Sequence, residues 1–246
     1  MKLNFLGTSG WYDTALGNTL SILLDTPAAY IVFDAGGGFY KLNGYIKENK
    51  PIIVLLSHFH LDHIIGLHAL AKFNFRQGIK FFGPPGIKRL FKVIINNPYS
   101  MPVNKLKTKI TIREFSGNLK LPVHIEYKKL RHIGTCYGYR VCSENKSVVF
   151  CTDTGPCSNL DRLAEGADIL ITESSLPAGK IDNYWPHLNP QQAALIARQA
   201  RVKKLFLAHF DSGVYLSVKD RDRAEKSARK IFPRSWAARD GLGVRI

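Results

Sequence analysis

The chain has 246 residues, 45% of them hydrophobic and 22% charged, the balance of a globular protein that can bury a core without disulfides. No apolar run approaches the ~18 residues a membrane-spanning helix needs, and the opening MKLNFLGTSG reads as a strand and a glycine turn rather than a cleavable leader, so a soluble, cytoplasmic protein is expected. Thirty-five Lys and Arg against nineteen Asp and Glu give a formal charge of +16, which either attracts polyanions such as nucleic acid or is simply a solvated basic surface.

Short apolar runs rich in β-branched residues recur along the chain and read as strands. In order they are LNFL, TLSILLD, AYIVFD, PIIVLLS, KFF, KITIREF, VHIEY, YGYRV, SVVFC, DILITE and KLFLAHF. Helical spacing falls between some of them, at residues 64–73, 84–96, 158–165, 190–201 and 219–231. The clearest case is NPQQAALIARQA, where Asn189 can cap and Pro190 takes the first helical position. No repeat, linker or low-complexity stretch divides the chain. It is expected to form one domain, residues 1–246, of α/β class: a layered sandwich of two sheets covered by helices. Residues 83–109 stand apart as basic and rich in Pro and Asn, and are expected to form a lid or an insertion. Lys88, Arg89, Lys92, Lys105, Lys107 and Lys109 within them have no acidic neighbour nearby in sequence and are candidates to line the approach to a site. Cys136, Cys142, Cys151 and Cys157 form no CxxC pair and read as small buried residues of a reducing compartment.

Three of the eight histidines crowd into SHFHLDHIIGL as His58, His60 and His63, with Asp62 between them. PIIVLLS ahead of them reads as a fully buried strand. Residues two apart in extended chain point the same way, so His58 and His60 can reach one ion. Asp62 and His63 lie where the chain turns into a helix and can present a second set of ligands. An aspartate that merely caps that helix is the plainer alternative, but it does not account for three histidines in six positions. Further candidates end other strands: His132 after VHIEYKKLR, Asp153 after SVVFCT, and His209 in KLFLAHF. Loops at one sheet edge gather such residues. Five imidazoles and two carboxylates suffice for two divalent ions, with Asp153 able to bridge them through its two oxygens.

The order HxHxDH, His132, Asp153, His209 resembles the metallo-β-lactamase superfamily, and the resemblance runs over nearly the whole chain. FLGTSG and FDAGGG are similar to its first strands and ARDGLGVRI to its last. HIGTCYGYRV, FCTDTG, ITESSL, HLNPQQAALIARQA and LFLAHF are most similar to the ribonuclease Z and related phosphodiesterase branch. The resemblance implies a four-layer αββα sandwich, two mixed sheets flanked by helices, with a dinuclear centre at one edge. Carried over by motif, His58, His60 and His132 would hold the first metal, and Asp62, His63 and His209 the second, with Asp153 between them. Zn2+ is implied, with Mn2+ or Fe as alternatives. Glu173 and His187 match a pair that in this branch donates a proton. Asp34, at the end of an early strand, is expected to orient ligands rather than bind metal.

The resemblance implies a metal-dependent hydrolase, either a phosphodiesterase or a ribonuclease Z-like nuclease. It would attack phosphorus with a dinuclear metal-activated hydroxide, Asp62 orienting or deprotonating it and His187 protonating the leaving oxygen. RNA or single-stranded nucleic acid is the implied partner, and a homodimer is compatible with the sequence. A glyoxalase-like thioesterase or another small-molecule metallohydrolase shares the ligand set, and a nucleic-acid-binding protein of little activity is a third reading. A β-lactamase of the commonest type would carry a Cys where Asp153 falls; a flavin-coupled di-iron enzyme would replace His60 by a carboxylate. Two departures bear on substrate. Only 20 residues separate His132 from Asp153, leaving no room there for a tRNA-gripping arm, and FDSGVY follows His209 in place of a serine-arginine-tyrosine pattern. His68 and His124 match no motif and are expected at the surface.

Overall fold

The computed structural model describes residues 1–115 and 120–246. The first half runs β1 (Lys2–Gly7), β2 (Ser9–Gly10), β3 (Ser21–Asp25), β4 (Tyr30–Phe33), β5 (Ile52–Leu55), α1 (Leu61–Ile64), β6 (Ile79–Gly83), α2 (Ile87–Ile94) and β7 (Ile110–Glu114). The second runs β8 (His124–Lys129), β9 (Tyr137–Ser143), β10 (Lys146–Cys151), α3 (Ser158–Ala164), β11 (Ile169–Glu173), α4 (Pro190–Gln199), β12 (Lys204–Ala208), β13 (Phe210–Asp211), α5 (Val218–Arg229), β14 (Ser235–Ala237) and β15 (Gly243–Arg245). A seven-stranded sheet has the order β15-β1-β3-β4-β5-β6-β7 and a six-stranded one β14-β12-β11-β10-β9-β8. Both are mixed. The register is antiparallel from β15 to β4 and parallel from β4 to β7 in the first, antiparallel from β8 to β10 and parallel from β10 to β14 in the second.

The sheets pack face to face on a shared apolar core that includes Phe5, Phe33, Phe150 and Phe206. Phe33 of β4 stacks on Phe150 of β10 with ring centroids 4.9 Å apart. The outer face of the six-stranded sheet is covered by α3, α4 and α5 through Leu160, Leu163, Ala193, Ala197 and Ala224. The outer face of the seven-stranded sheet is covered by α2 and by two 3-10 turns, Gly37–Gly44 and Ile65–Lys72, through Phe39, Leu67, Leu70 and Phe91. Helices, sheet, sheet and helices make the αββα sandwich. α4 starts as its sequence demands: Pro190 is its first residue, and Asn189 and Gln192 form a reciprocal capping box.

Two segments differ from expectation. Residues 64–73 continue α1 as a 3-10 turn rather than an α-helix. Gly36 lies beneath this corner. A Cβ there would meet the Asp62 carbonyl at 2.2 Å, and backbone bonds from Ala35 to His63 O and from Gly66 to Ala35 O hold the pieces together. Residues 83–109 carry the crossover between parallel strands β6 and β7. Ile87, Phe91 and Ile95 are buried in the core, so α2 is a packing element rather than a cover over a cleft.

Candidate metal centre

Every candidate ligand leaves a strand at the same edge of the sandwich. His58, His60, Asp62 and His63 follow β5, Asp153 follows β10, Glu173 ends β11, and His209 follows β12. His132 lies between β8 and β9, and the Gly155 amide bonds the Arg131 carbonyl at 3.0 Å, tying its segment to the Asp153 loop. Carboxyl ends of parallel strands are where α/β sheets place ligands. All seven residues come together as two groups. The ligand atoms of His58, His60, His132 and Asp153 lie within 4.8 Å of one another, as do those of Asp62, His63 and His209. Asp153 joins the groups: its Oδ1 is 4.0 Å from His58 Nε2, while its Oδ2 is 3.2 Å from His63 Nε2 and 3.4 Å from His209 Nε2.

Asp62 is not a helix cap. Its Oδ2 accepts the Trp11 amide at 2.9 Å and faces His209 Nε2 at 3.1 Å.

The surrounding hydrogen bonds fix which ring nitrogen each histidine offers. Ser175 Oγ donates to the His209 carbonyl and so accepts from His209 Nδ1, at 2.9 Å. His63 Nδ1 donates to Asp34 Oδ2 at 2.7 Å. Ser57 Oγ donates to the same Asp34 oxygen at 2.8 Å and so accepts from His58 Nδ1 at 3.0 Å. In all three, Nδ1 is engaged and Nε2 faces the cluster, the arrangement that outer hydrogen bonds impose on ligating histidines. Among the described residues, His58 Nε2, both nitrogens of His132 and Asp153 Oδ2 are buried with no hydrogen-bond partner. His63 Nε2 and His209 Nε2 stand 3.1 Å apart. Bare nitrogens and carboxylate oxygens converging without donors form a donor set that suits divalent cations.

The electrostatics agree. Burial drives the His58 and His132 pKa values down, helped at His58 by the neighbouring His63, so both are neutral bases. Burial would depress His63 and His209 too, but Asp153 and Asp62 outweigh it and both rise. Asp62 and Asp153 go the other way: burial opposes their charge, yet His63 and His209 hold both far below the carboxylate range.

Glu173 and His187 pair beside this cluster. His187 Nδ1 is 2.8 Å from Glu173 Oε2, and its ring lies 5.7 Å from that of His132 and 6.2 Å from that of His209. The other Glu173 oxygen accepts the Thr154 amide, so one carboxylate braces both His187 and the Asp153 loop. Burial lowers the His187 pKa, but the adjacent Glu173 charge prevails and lifts it to about 9. Trp11, Asp34, Asp153 and His209 all hold positive φ, between 48° and 75°. Such conformations cost roughly 1–3 kcal/mol each and gather at functional sites.

His68 and His124 are exposed and take no part. Lys105, Lys107 and Lys109 do not line the approach. They precede β7, whose first residue pairs with Ile79 at the start of β6, so at ~3.3 Å per residue they lie some 20 Å along the sheet from His58. Lys88 and Arg89 are nearer, since α2 begins beside Phe59. Sequence reasoning missed Ser57, Ser175 and the Trp11 amide; the serines' only signal was their place next to His58 and near Glu173.

The fold and the centre define a class, and the sequence comparison agrees. The Beta-lactamase superfamily domain matches residues 29–210, and the chain belongs to that superfamily. It is a metal-dependent hydrolase of ribonuclease Z-like type, of a family that implies divalent metal ions. Among its relatives, the Ribonuclease Z of Methanothermobacter thermautotrophicus is 29% identical, with 100% of this chain and 97% of the relative covered. That of Oceanobacillus iheyensis is 26% identical, with 98% of each covered. Among solved structures, the metallo-beta-lactamase fold protein YhfI of Bacillus subtilis superposes with TM-score 0.82 at 25% identity, over 99% of this chain and 98% of that one. The short form of human tRNase Z shares the fold, with TM-score 0.75 at 20% identity over 100% and 99%. The alignment with the Methanothermobacter protein spans 302 positions against 246 residues here, so at least 56 of them have no counterpart in this chain. Among the described residues, no helix is long and apolar enough to cross a membrane.

Proposed function

We propose that the protein is a dinuclear phosphodiesterase acting on RNA, single-stranded nucleic acid or small phosphodiesters. His58, His60 and His132 would hold one ion and Asp62, His63 and His209 the other, with Asp153 facing both groups. The observation that carries this reading is the placement of Asp153, one oxygen toward each group, with the Glu173–His187 pair alongside both. Two divalent ions, Zn2+ foremost and Mn2+ or Fe as alternatives, supply when bound an acidified water and positive charge beside the phosphoryl oxygens. Asp62 orients or deprotonates the attacking water. His187, held by Glu173 and protonated at neutral pH, gives a proton to the departing oxygen. That acid is what separates this reading from a thioesterase, because a thiolate leaves readily and an alkoxide does not. The relatives named Ribonuclease Z favour RNA, and the missing 56 positions favour small or unstructured substrates over a folded tRNA precursor.

The test is His187→Ala on a diester with an alkoxide leaving group. Turnover should fall about 10²–10⁴-fold, the usual contribution of a general acid, while bound metal is retained. The pH dependence has a definite sign. The folded pKa is raised, so the acid form prevails below about 9 and is lost above it. Wild-type kcat should therefore decline above that pH, and the variant should lack this limb. Unchanged turnover on the poor leaving group would remove His187 from the chemistry.

A further inference from the structure

The chain has three tryptophans, and two stand in solvent at the rim of the centre. Trp236 packs against Phe206, but Trp11 is 70% exposed and Trp185 44%, with Tyr184 beside it at 79%. Their backbones are anchored to functional groups. The Trp11 amide donates to Asp62 Oδ2 at 2.9 Å, and the residue keeps φ 75°, an unfavourable conformation for a bulky side chain. On the segment that carries His187, Asp182 Oδ1 accepts the amides of Tyr184 and Trp185 at 2.8 and 2.9 Å, and the His187 amide donates to the Trp185 carbonyl at 2.9 Å. Pro186, between Trp185 and His187, abuts Gly155 of the Asp153 loop, where a Cβ would meet it at 2.9 Å. Each segment thus fixes an exposed aromatic residue beside a group the chemistry uses, Trp11 by its bond to Asp62 and Trp185 by its bond to His187.

Large aromatic surface left in water forgoes the stabilisation that burial would give, and a strained backbone maintains it at Trp11. We propose that Trp11 and Trp185 form stacking platforms for a nucleobase attached to the scissile phosphodiester, which makes nucleotidyl esters the substrate class. The inference rests on the phosphodiesterase reading above. Three features favour this occupant: the flat π faces suit any base without regard to sequence, the +16 charge suits its phosphates, and a centre without room for a gripping arm needs local contacts to hold its substrate. Tyr184, its ring 6.0 Å from that of Trp185, backs that side of the platform.

Two diesters that differ only in the base test this: thymidine 5′-(p-nitrophenyl phosphate) and its abasic analogue, 1,2-dideoxyribose 5′-(p-nitrophenyl phosphate). The thymidine ester should have the higher kcat/KM by about tenfold or more, the gain one stacked base gives. Trp185→Ala and Trp11→Ala should each shrink that ratio, and Trp185→Phe and Trp11→Phe, which keep a π face, should restore most of it. Independently of turnover, thymidine 5′-monophosphate should quench tryptophan fluorescence in the wild type and less in each Ala variant. A ratio unchanged in both Ala variants, with no quenching, overturns the platform while leaving the phosphodiesterase reading intact. So does a sedimenting dimer in which a soluble quencher no longer reaches these tryptophans, because their occupant is then a second copy of the chain. If neither diester is cleaved, the function proposed above fails, and the quenching experiment still decides the platform.

Discussion

The two halves of the centre are built differently. His63, Asp62 and His209 have side chains at most 6% exposed, and each is held by a partner outside the group: Asp34 for His63, the Trp11 amide for Asp62, Ser175 for His209. Gly10 closes over them so tightly that a Cβ would lie 2.6 Å from the His209 ring. In the other half, His60 and His132 are partly exposed, and both His132 nitrogens lack any partner among the described residues. All three ligands of the first half are locked before any ion arrives, whereas of the three histidines in the other only His58 is, through Ser57. Preorganised ligands bind with less ordering cost, so on the proposed assignment the Asp62–His63–His209 half should hold its ion more tightly.

Removing Asp153 should break the comparison altogether, since it is the residue that faces both halves. Asp153→Ala leaves His63 and His209 without the carboxylate that most raises their pKa values, and leaves His58 without the carboxylate that counters its burial. Metal analysis after purification without chelators should show substoichiometric metal, and turnover should drop by at least ~10³-fold, since positioning and charge stabilisation are lost together. Full metal content with wild-type turnover would sink the bridging role.

Asp34→Asn should sharpen the comparison. Asp34 bonds His63 directly but reaches His58 only through Ser57. Changes to such outer partners typically cost 10–100-fold in metal affinity. Competition with a chelator should show that loss in the Asp62–His63–His209 half, with a smaller one in the other half. Equal losses in both would mean that Ser57 passes the change on undiminished.

How far the centre was legible in sequence follows from the same contrast. The ligands were readable because HxHxDH follows a strand and the others end strands. Asp34 could be assigned an orienting part because it too ends a strand, beside three glycines. The locks were not readable. Trp11 reaches Asp62 across 51 positions and Ser175 reaches His209 across 34, and no local pattern encodes such contacts. The sheets were legible from their apolar runs. The helical spacing at 64–73 gives a 3-10 turn over Ile65–Lys72, because apolar spacing does not separate an α-turn from a 3-10 turn. The basic run at 105–109 looked like a site feature because charge in sequence carries no direction along a sheet; only the pairing of β6 with β7 puts it at the far end.

The smallest expected effect isolates the looser half. Ser57→Ala removes the hydroxyl that accepts His58 Nδ1 and donates to Asp34, but the Ser57 amide still donates to Asp34 Oδ1 at 2.7 Å, so Asp34 keeps its place beside His63. His58 Nδ1 then keeps only the contact with Cys136 Sγ, 3.9 Å away, among its hydrogen bonds to described residues, a weak partner for an imidazole N–H. One neutral hydrogen bond contributes about 0.5–1.5 kcal/mol net, so metal affinity in the His58–His60–His132 half should fall roughly two- to tenfold. The other half should hold its ion as before. Chelator competition resolved into two steps reads both at once, and only the weaker step should move. If the tighter step weakens as much, the hydrogen bonds through Asp34 bind the centre as one unit, and the two halves are not independently built.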